Sequence, residues 1–172
     1  LYASFLVDEV SLRIKGRNQT AYNLGVSLTD FPINNLYIST DYTRVRPYAY
    51  VHYLPMQTYQ NAGYNLGHWI GPNADQWSTT LQYRVSRGLD IRFMYRYVRK
   101  GTVGEGVIQR NEVGTPFLWG QTKYLENIEA YLNYEIVHDL FFKLGYQHTS
   151  ITKKQNQNNV FIVSIQNKKT NR

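Results

Sequence analysis

Two stretches of this 172-residue chain concentrate the side chains that could do chemistry. The first, DYTRVRPYAYVHY at 41–53, carries Arg44, Arg46, Tyr48, Tyr50 and His52. The second, GYNLGHWIGPNAD at 63–75, carries Tyr64, His68, Trp69, Asn73 and Asp75. Aromatic faces suit the apolar side of a sugar ring, planar polar groups suit its hydroxyls, and guanidinium groups suit acidic sugars. These residues supply that mixture, so carbohydrate contact is one reading. The other is structural: Gly67, Gly71 and Pro72 shape a loop whose aromatics pack on the rim and into the interior beneath it.

Other constellations fall short of chemistry. His52 and His68 are too few and too loosely spaced for a metal site, and no cofactor is expected. GTVGEG at 101–106 lacks the Lys-Ser/Thr of a phosphate loop and reads as a flexible connection. Asp8 with Glu9, and Glu126 with Glu129, are candidate carboxylate pairs, but neither has a neighbouring base or nucleophile to complete a site. No catalytic residue is therefore assigned, and a non-enzymatic protein is expected. Arg84, Arg92 and Arg96 share one face with Asp90 and Gln82. They line either an anion path or an ordinary ladder of paired polar groups.

The elements that must position these groups alternate with period two. Over 76–100, Trp77, Thr79, Leu81, Tyr83 and Val85 alternate with polar residues, and the pattern resumes at Leu89, Ile91, Phe93, Tyr95 and Tyr97. A three-residue turn, Ser86-Arg87-Gly88, with Gly88 in the left-handed conformation, segregates the faces. It sets Val85 opposite Leu89, Tyr83 opposite Ile91, Leu81 opposite Phe93 and Trp77 opposite Tyr97, with Arg84 facing Asp90 and Gln82 facing Arg92. A second hairpin turns through Val137-His138-Asp139. It pairs Ile136 with Leu140, Tyr134 with Phe142, Leu132 with Leu144, Asn133 with Lys143, and Tyr131 with Gly145. An aromatic over a facing glycine is a device of curved barrel strands.

Further strands are expected at 21–30, at 35–53 with a bend at Pro47, near 159–166, and somewhere in 2–14, giving about eight in all. Residues 153–159 read as a solvated loop. The strands and their loops occupy 1–167, and 168–172 form a polar tail. Short links at 31–34, 86–88 and 137–139 alternate with long ones at 54–75 and 101–123. Outer-membrane barrels show that alternation, with Trp77 and Tyr97 then placed at the long-loop end, where an aromatic girdle belongs.

Composition agrees with an all-β chain: 16 tyrosines, 15% aromatics and only 18% charged residues. No run of about 18 apolar residues could form a spanning helix, whereas barrel strands need only about 9 to 11 residues each. There is no cysteine, so disulfides and thiolate metal sites are excluded. The 19 basic residues behind the net charge of +7 are dispersed; no nucleic-acid partner is expected, and lipopolysaccharide or an acidic polysaccharide would be as good a partner for that charge. The start at Leu1 shows no signal peptide and reads as a mature or truncated chain. An antiparallel up-and-down transmembrane β-barrel is the best fit. A lipocalin-like barrel and an immunoglobulin-like sandwich are the soluble alternatives.

The run YTRVRPY at 42–48, the Tyr50/His52 pair and LGHWIGPNAD at 66–75 resemble the C-terminal half of the Wzi capsule assembly family. The opening LYASFLVDE is similar to that family's strand ending in acidic residues. The resemblance covers roughly 2–101. It implies a bacterial outer-membrane barrel of about 18 strands, of which this chain would be the closing portion, holding capsular polysaccharide at the cell surface as a lectin. Implied partners are outer-membrane lipid, lipopolysaccharide, surface polysaccharide and other outer-membrane assembly proteins. Some relatives are linked to gliding machinery, so a structural component of a surface machinery is an alternative, as is a diffusion channel. Two departures stand out: the small strand count, and a chain end, NKKTNR, without the terminal aromatic common in such barrels.

Overall fold

A computed structural model describes residues 1–10, 18–52, 54, 56, 58–62, 64–103, 116–152 and 156–167, with the backbone alone at 65 and 156–167. Its regular structure is β: β1 (Tyr2–Glu9), β2 (Gln19–Thr29), β3 (Leu36–Val45), β4 (Gln60–Asn61), β5 (Tyr64–Asn65), β6 (Ala74–Ser86), β7 (Leu89–Gly101), β8 (Thr122–Val137), β9 (Leu140–Ile151) and β10 (Asn156–Asn167). Eight strands form one up-and-down antiparallel sheet in the order β1-β2-β3-β6-β7-β8-β9-β10, and β4 and β5 make a separate small hairpin. The expected count of eight holds for this sheet.

Alternation in the sequence becomes an inverted pattern of burial. Leu24, Ile91 and Leu144 are 52%, 41% and 42% exposed, while Gln19, Thr43 and Asn127 are only 2%, 2% and 4% exposed. A water-soluble sheet hides its apolar side chains and wets its polar ones. The reverse suits strands whose apolar face meets lipid and whose polar face points inward. Both soluble alternatives require a covered apolar face, and these residues do not have one.

The chain divides into two compact units. One comprises residues 26–40, 78–96 and 125–172 and contains the short turns. Here β8 pairs with β9 as expected through Leu132 with Leu144, Asn133 with Lys143, Tyr134 with Phe142 and Tyr131 with Gly145. At the tip the expected Ile136–Leu140 pair is replaced by Val137 with Leu140, across a bulge between Glu135 and Val137. Asp139 supplies the left-handed residue at φ 64°, a conformation that Asp tolerates better than most side chains.

Gly88 departs from expectation: it is not among the positive-φ glycines. A close approach explains the glycine instead. A Cβ there would sit 3.0 Å from the Glu135 carbonyl oxygen, and the Glu135 N–H donates to the Gly88 carbonyl at 2.8 Å. The polar-face pairs inferred from the register are present, Arg84 Nε to Asp90 Oδ1 at 3.1 Å and Arg92 Nη2 to Gln82 Oε1 at 3.2 Å. β10 begins at Asn156, so 156–159 belong to a strand and not to the expected loop. The expected polar tail at 168–172 lies outside the described residues, as do 153–155 and the 11–14 portion of the expected first strand.

The other unit comprises residues 1–25, 41–77 and 97–124. β1 pairs with β2 from Tyr2 opposite Gly25 to Glu9 opposite Gln19, and the Tyr2 ring lies where a Gly25 side chain would be. β3 stops at Val45 and does not run on to 53. Pro47 ends it, having no N–H for a ladder, and the chain turns instead: the Ala49 N–H donates to the Arg46 carbonyl and the Val51 N–H to the Tyr48 carbonyl. The long connection thus begins eight residues earlier than expected, at 46, and carries the β4–β5 hairpin. This unit's buried apolar core lies largely in this connection, at Tyr48, Ala49, Tyr50, Val51 and Ile70, with Val45 and Ala74 at the strand ends that flank it.

Candidate functional site

Five aromatic side chains, one from each of β2, β3, β6, β7 and β8, share the apolar face of the sheet at its long-connection end. Tyr22, Tyr42 and Trp77 form a chain of ring contacts with centroids 6.0 and 6.4 Å apart, and Tyr97 stacks with Tyr124 at 6.5 Å. Trp77 and Tyr97 were expected there; the three tyrosines extend the row. Aromatic rings with a polar tip settle where hydrocarbon gives way to headgroups.

Two residues further along the same face, the polar groups begin. Arg99 grips Asp75 with a fork, Nε to Oδ1 at 2.9 Å and Nη2 to Oδ2, and the Tyr42 hydroxyl donates to Oδ2 at 2.8 Å. Three hydrogen bonds, two of them from a cation, satisfy a carboxylate that is almost fully buried. Asp75 is thereby committed to its own chain.

Asn73 is committed more completely. It has no exposed surface. Its Nδ2 donates to the carbonyls of Val103 at 2.6 Å and Trp119 at 2.8 Å, and its Oδ1 accepts from the Trp119 N–H at 3.1 Å. Its backbone N–H donates to Arg46 O and its carbonyl accepts from the Gly101 N–H. One left-handed residue, at φ 56°, therefore ties together the connection after β3, the end of β7 and the segment before β8. Gly101 belongs to the same joint, because a Cβ on it would come within 2.2 Å of Asn73 Nδ2.

Tyr48 and Tyr50 are also buried. The Tyr48 N–H donates to Oε1 of buried Gln19 at 3.1 Å. Tyr50 adopts φ 80°, costly for a bulky residue and tolerated only where its surroundings fix it. They do: its N–H donates to Asp8 Oδ2 at 3.3 Å, its carbonyl accepts from the Tyr59 N–H at 2.9 Å, and its ring rests on Gly67. The Arg44 guanidinium lies 3.7 Å above the Phe117 ring, and Arg46 Nη1 donates to the Asn18 carbonyl at 3.2 Å. His68 is half-buried and caps its own turn, its Nδ1 accepting from the Ile70 N–H.

Three of the ten candidates remain at the surface. Trp69 and Tyr64 are 59% and 78% exposed, and His52 is exposed with its Nδ1 accepting from the Leu54 N–H at 3.1 Å. Near His52 the structure adds residues not singled out for binding. Asp8, Leu6 and Tyr59 join Tyr50, Val51 and His52 around a cleft of about 160 Å³. Asp8 stands 42 positions from Tyr50, a separation that no local pattern marks. Among the described residues no group of three potential ligands could hold a metal. Glu126 and Glu129 project to opposite faces: Tyr95 donates to Glu126, while Glu129 accepts from Asn127 and Tyr131.

A family model described as capsule assembly protein Wzi matches residues 1–161. The chain belongs to that family. Membership places this Wzi-family chain among outer-membrane β-barrels of capsule assembly, in keeping with the inverted burial of its strands. The match runs some sixty residues beyond the stretch in which the resemblance was readable by motif, and takes in β8, β9 and part of β10. No curated protein and no solved structure matches the chain.

Proposed function

We propose that this Wzi-family chain is part of a non-enzymatic outer-membrane barrel that binds or anchors surface polysaccharide through its long connections. The carrying observation is the pairing of exposed and locked residues on one connection. Trp69 and Tyr64 present aromatic surface, while Pro47, Pro72 and Asn73 of the same connection are buried. A pre-ordered aromatic platform loses little entropy when a sugar stacks on it. On this reading the buried members of the ten, Tyr48, Tyr50, Asn73 and Asp75, hold the platform and do not touch glycan. The apolar face and its aromatic row would meet outer-membrane lipid and lipopolysaccharide.

The test is binding of capsular polysaccharide from the source strain to detergent-solubilised protein. Changing Trp69→Ala together with Tyr64→Ala is expected to weaken binding about thirtyfold, two aromatic contacts of about 1 kcal/mol each, with thermal unfolding unchanged. Unaltered binding would sink the proposal. A diffusion channel is less well supported, because Arg84 and Arg92 are engaged by Asp90 and Gln82. Ohmic conductance in planar bilayers that falls on changing Arg92→Glu would favour it.

A further inference from the structure

The cleft beside the end of β1 has a chemistry of its own. At about 160 Å³ it is half the size of the smallest pockets that enclose drug-sized ligands, about 300 Å³, and matches one sugar ring better than an oligosaccharide. The Tyr50 and Tyr59 rings stack at 5.9 Å with 28° between their planes, and Tyr59 is 51% exposed, so an aromatic face is open beside it. Leu6 and Val51 line the cleft with apolar surface. The Tyr59 N–H to Tyr50 carbonyl bond and the His52 N–H to Thr58 Oγ1 contact at 3.4 Å brace the wall.

Besides the tyrosine hydroxyls, the polar side chains that the described residues bring to the cleft are one carboxylate and one imidazole. The Tyr50 N–H contact at 3.3 Å uses one of about four acceptor positions on Asp8. His52 accepts at Nδ1 from Leu54 N–H, which leaves Nε2–H as a donor. Among the described residues no Arg or Lys lines the cleft. Arg44 and Arg46, the cations that would welcome an acidic sugar, are held at Phe117 and Asn18.

We infer that this cleft is a subsite for an uncharged sugar ring: Asp8 accepts from two neighbouring hydroxyls, His52 donates to a third oxygen, and Tyr59 covers the ring face. The inference rests on the polysaccharide-binding reading above and names the sugar class it selects. A uronate in the cleft would set a second carboxylate beside Asp8, with no cation among the described lining residues to neutralise the pair. The net charge of +7 attracts acidic polymers at long range, but that attraction is screened beyond about 8 Å in physiological salt. Selection within the cleft is therefore set by Asp8.

The test uses the full chain in detergent on an array of bacterial glycans, with neutral and uronic-acid-containing members, and the same acidic glycans after chemical reduction of their carboxyl groups. Neutral and carboxyl-reduced glycans should bind at least tenfold more tightly than the uronic acids. Asp8→Asn, which keeps an acceptor for the Tyr50 N–H, should lose about tenfold toward neutral glycans and narrow that preference, and Tyr59→Ala should weaken all binding to the neutral set. Preferential capture of uronic acids, or neutral-glycan binding untouched by both variants, would overturn the inference while leaving polysaccharide binding intact. Failure of the wild-type chain to bind any arrayed glycan would instead overturn the broader reading.

Discussion

Asn73 combines ligand-like chemistry with complete internal use. Every polar atom of its amide is hydrogen-bonded to backbone of the 101–120 region, so its selection from the sequence for hydroxyl recognition met a competing demand. Replacing Asn73 by Asp is a sharp probe of that demand. The side chain keeps its shape, but an oxygen then faces the carbonyls of Val103 and Trp119 where a double donor stood. The part-buried Val103 carbonyl loses the amide donor, at about 1–3 kcal/mol, the Trp119 carbonyl keeps only the Val103 N–H, and a carboxylate takes the place of a buried amide. Asn73→Asp is therefore expected to destabilise the unit of residues 1–25, 41–77 and 97–124 by about 3 kcal/mol, read as a lower unfolding temperature and faster tryptic cleavage at Lys100 and Lys123. Wild-type resistance to trypsin would contradict this account. The signal for Asn73 in the sequence was its place between Pro72 and Ala74 at a strand start, a setting as fit for a left-handed joint as for a ligand contact.

Among the elements, the two short hairpins share a pattern and differ in how they turn. Below its tip β8–β9 keeps the register read from alternation, and β6–β7 carries the two polar pairs set by that reading; a slip of one residue would transfer every side chain to the wrong face. Their tips are less constrained. Asp139 takes φ 64° at the position where a glycine was thought necessary in the other hairpin, whereas Gly88 is kept by its contact with Glu135. Asp139→Val should accordingly cost about 1–2 kcal/mol, since a β-branched residue resists the left-handed region, and Asp139→Gly should cost nothing measurable by chemical denaturation. An equal effect of both variants would show that the Asp139 side chain, and not its backbone, makes the turn. The long connection illustrates the opposite case. Tyr48, Tyr50 and His52 have the spacing of a strand's alternate face, and Pro47 was read as a bend. Ending β3 at Val45 lets 46–51 fold inward and bury Ala49 and Val51, an outcome decided by distant partners such as Gln19 and Asp8.

For the molecule as a whole, the direction in which the apolar face points is the property that matters. Leu81 and Gln82 are neighbours on β6 and project to opposite faces. If the apolar face meets lipid, Leu81→Arg should cost about 2–4 kcal/mol of folding stability in bilayers, while Gln82→Arg should cost little. Urea titration in liposomes separates the two, and a reversed order would place the apolar face inward and revive the soluble-barrel alternative. Family membership over residues 1–161 points to the first outcome, as does the exposure of Leu24, Ile91 and Leu144.

The amino-acid sequence by itself determined the strand class, the number of strands in the sheet, the register of the β8–β9 hairpin below its tip and the family, because period-two alternation and short turns are local and leave direct traces in residue order. Tertiary structure alone decided which candidates are buried and which are exposed. Asn73, Asp75, Tyr48 and Tyr50 are claimed by partners between 18 and 46 positions away, and Asp8 joins His52 and Tyr59 only when the connection folds back over the end of β1. Contacts of that kind depend on which chain segments close on one another, and no spacing rule along the chain encodes them.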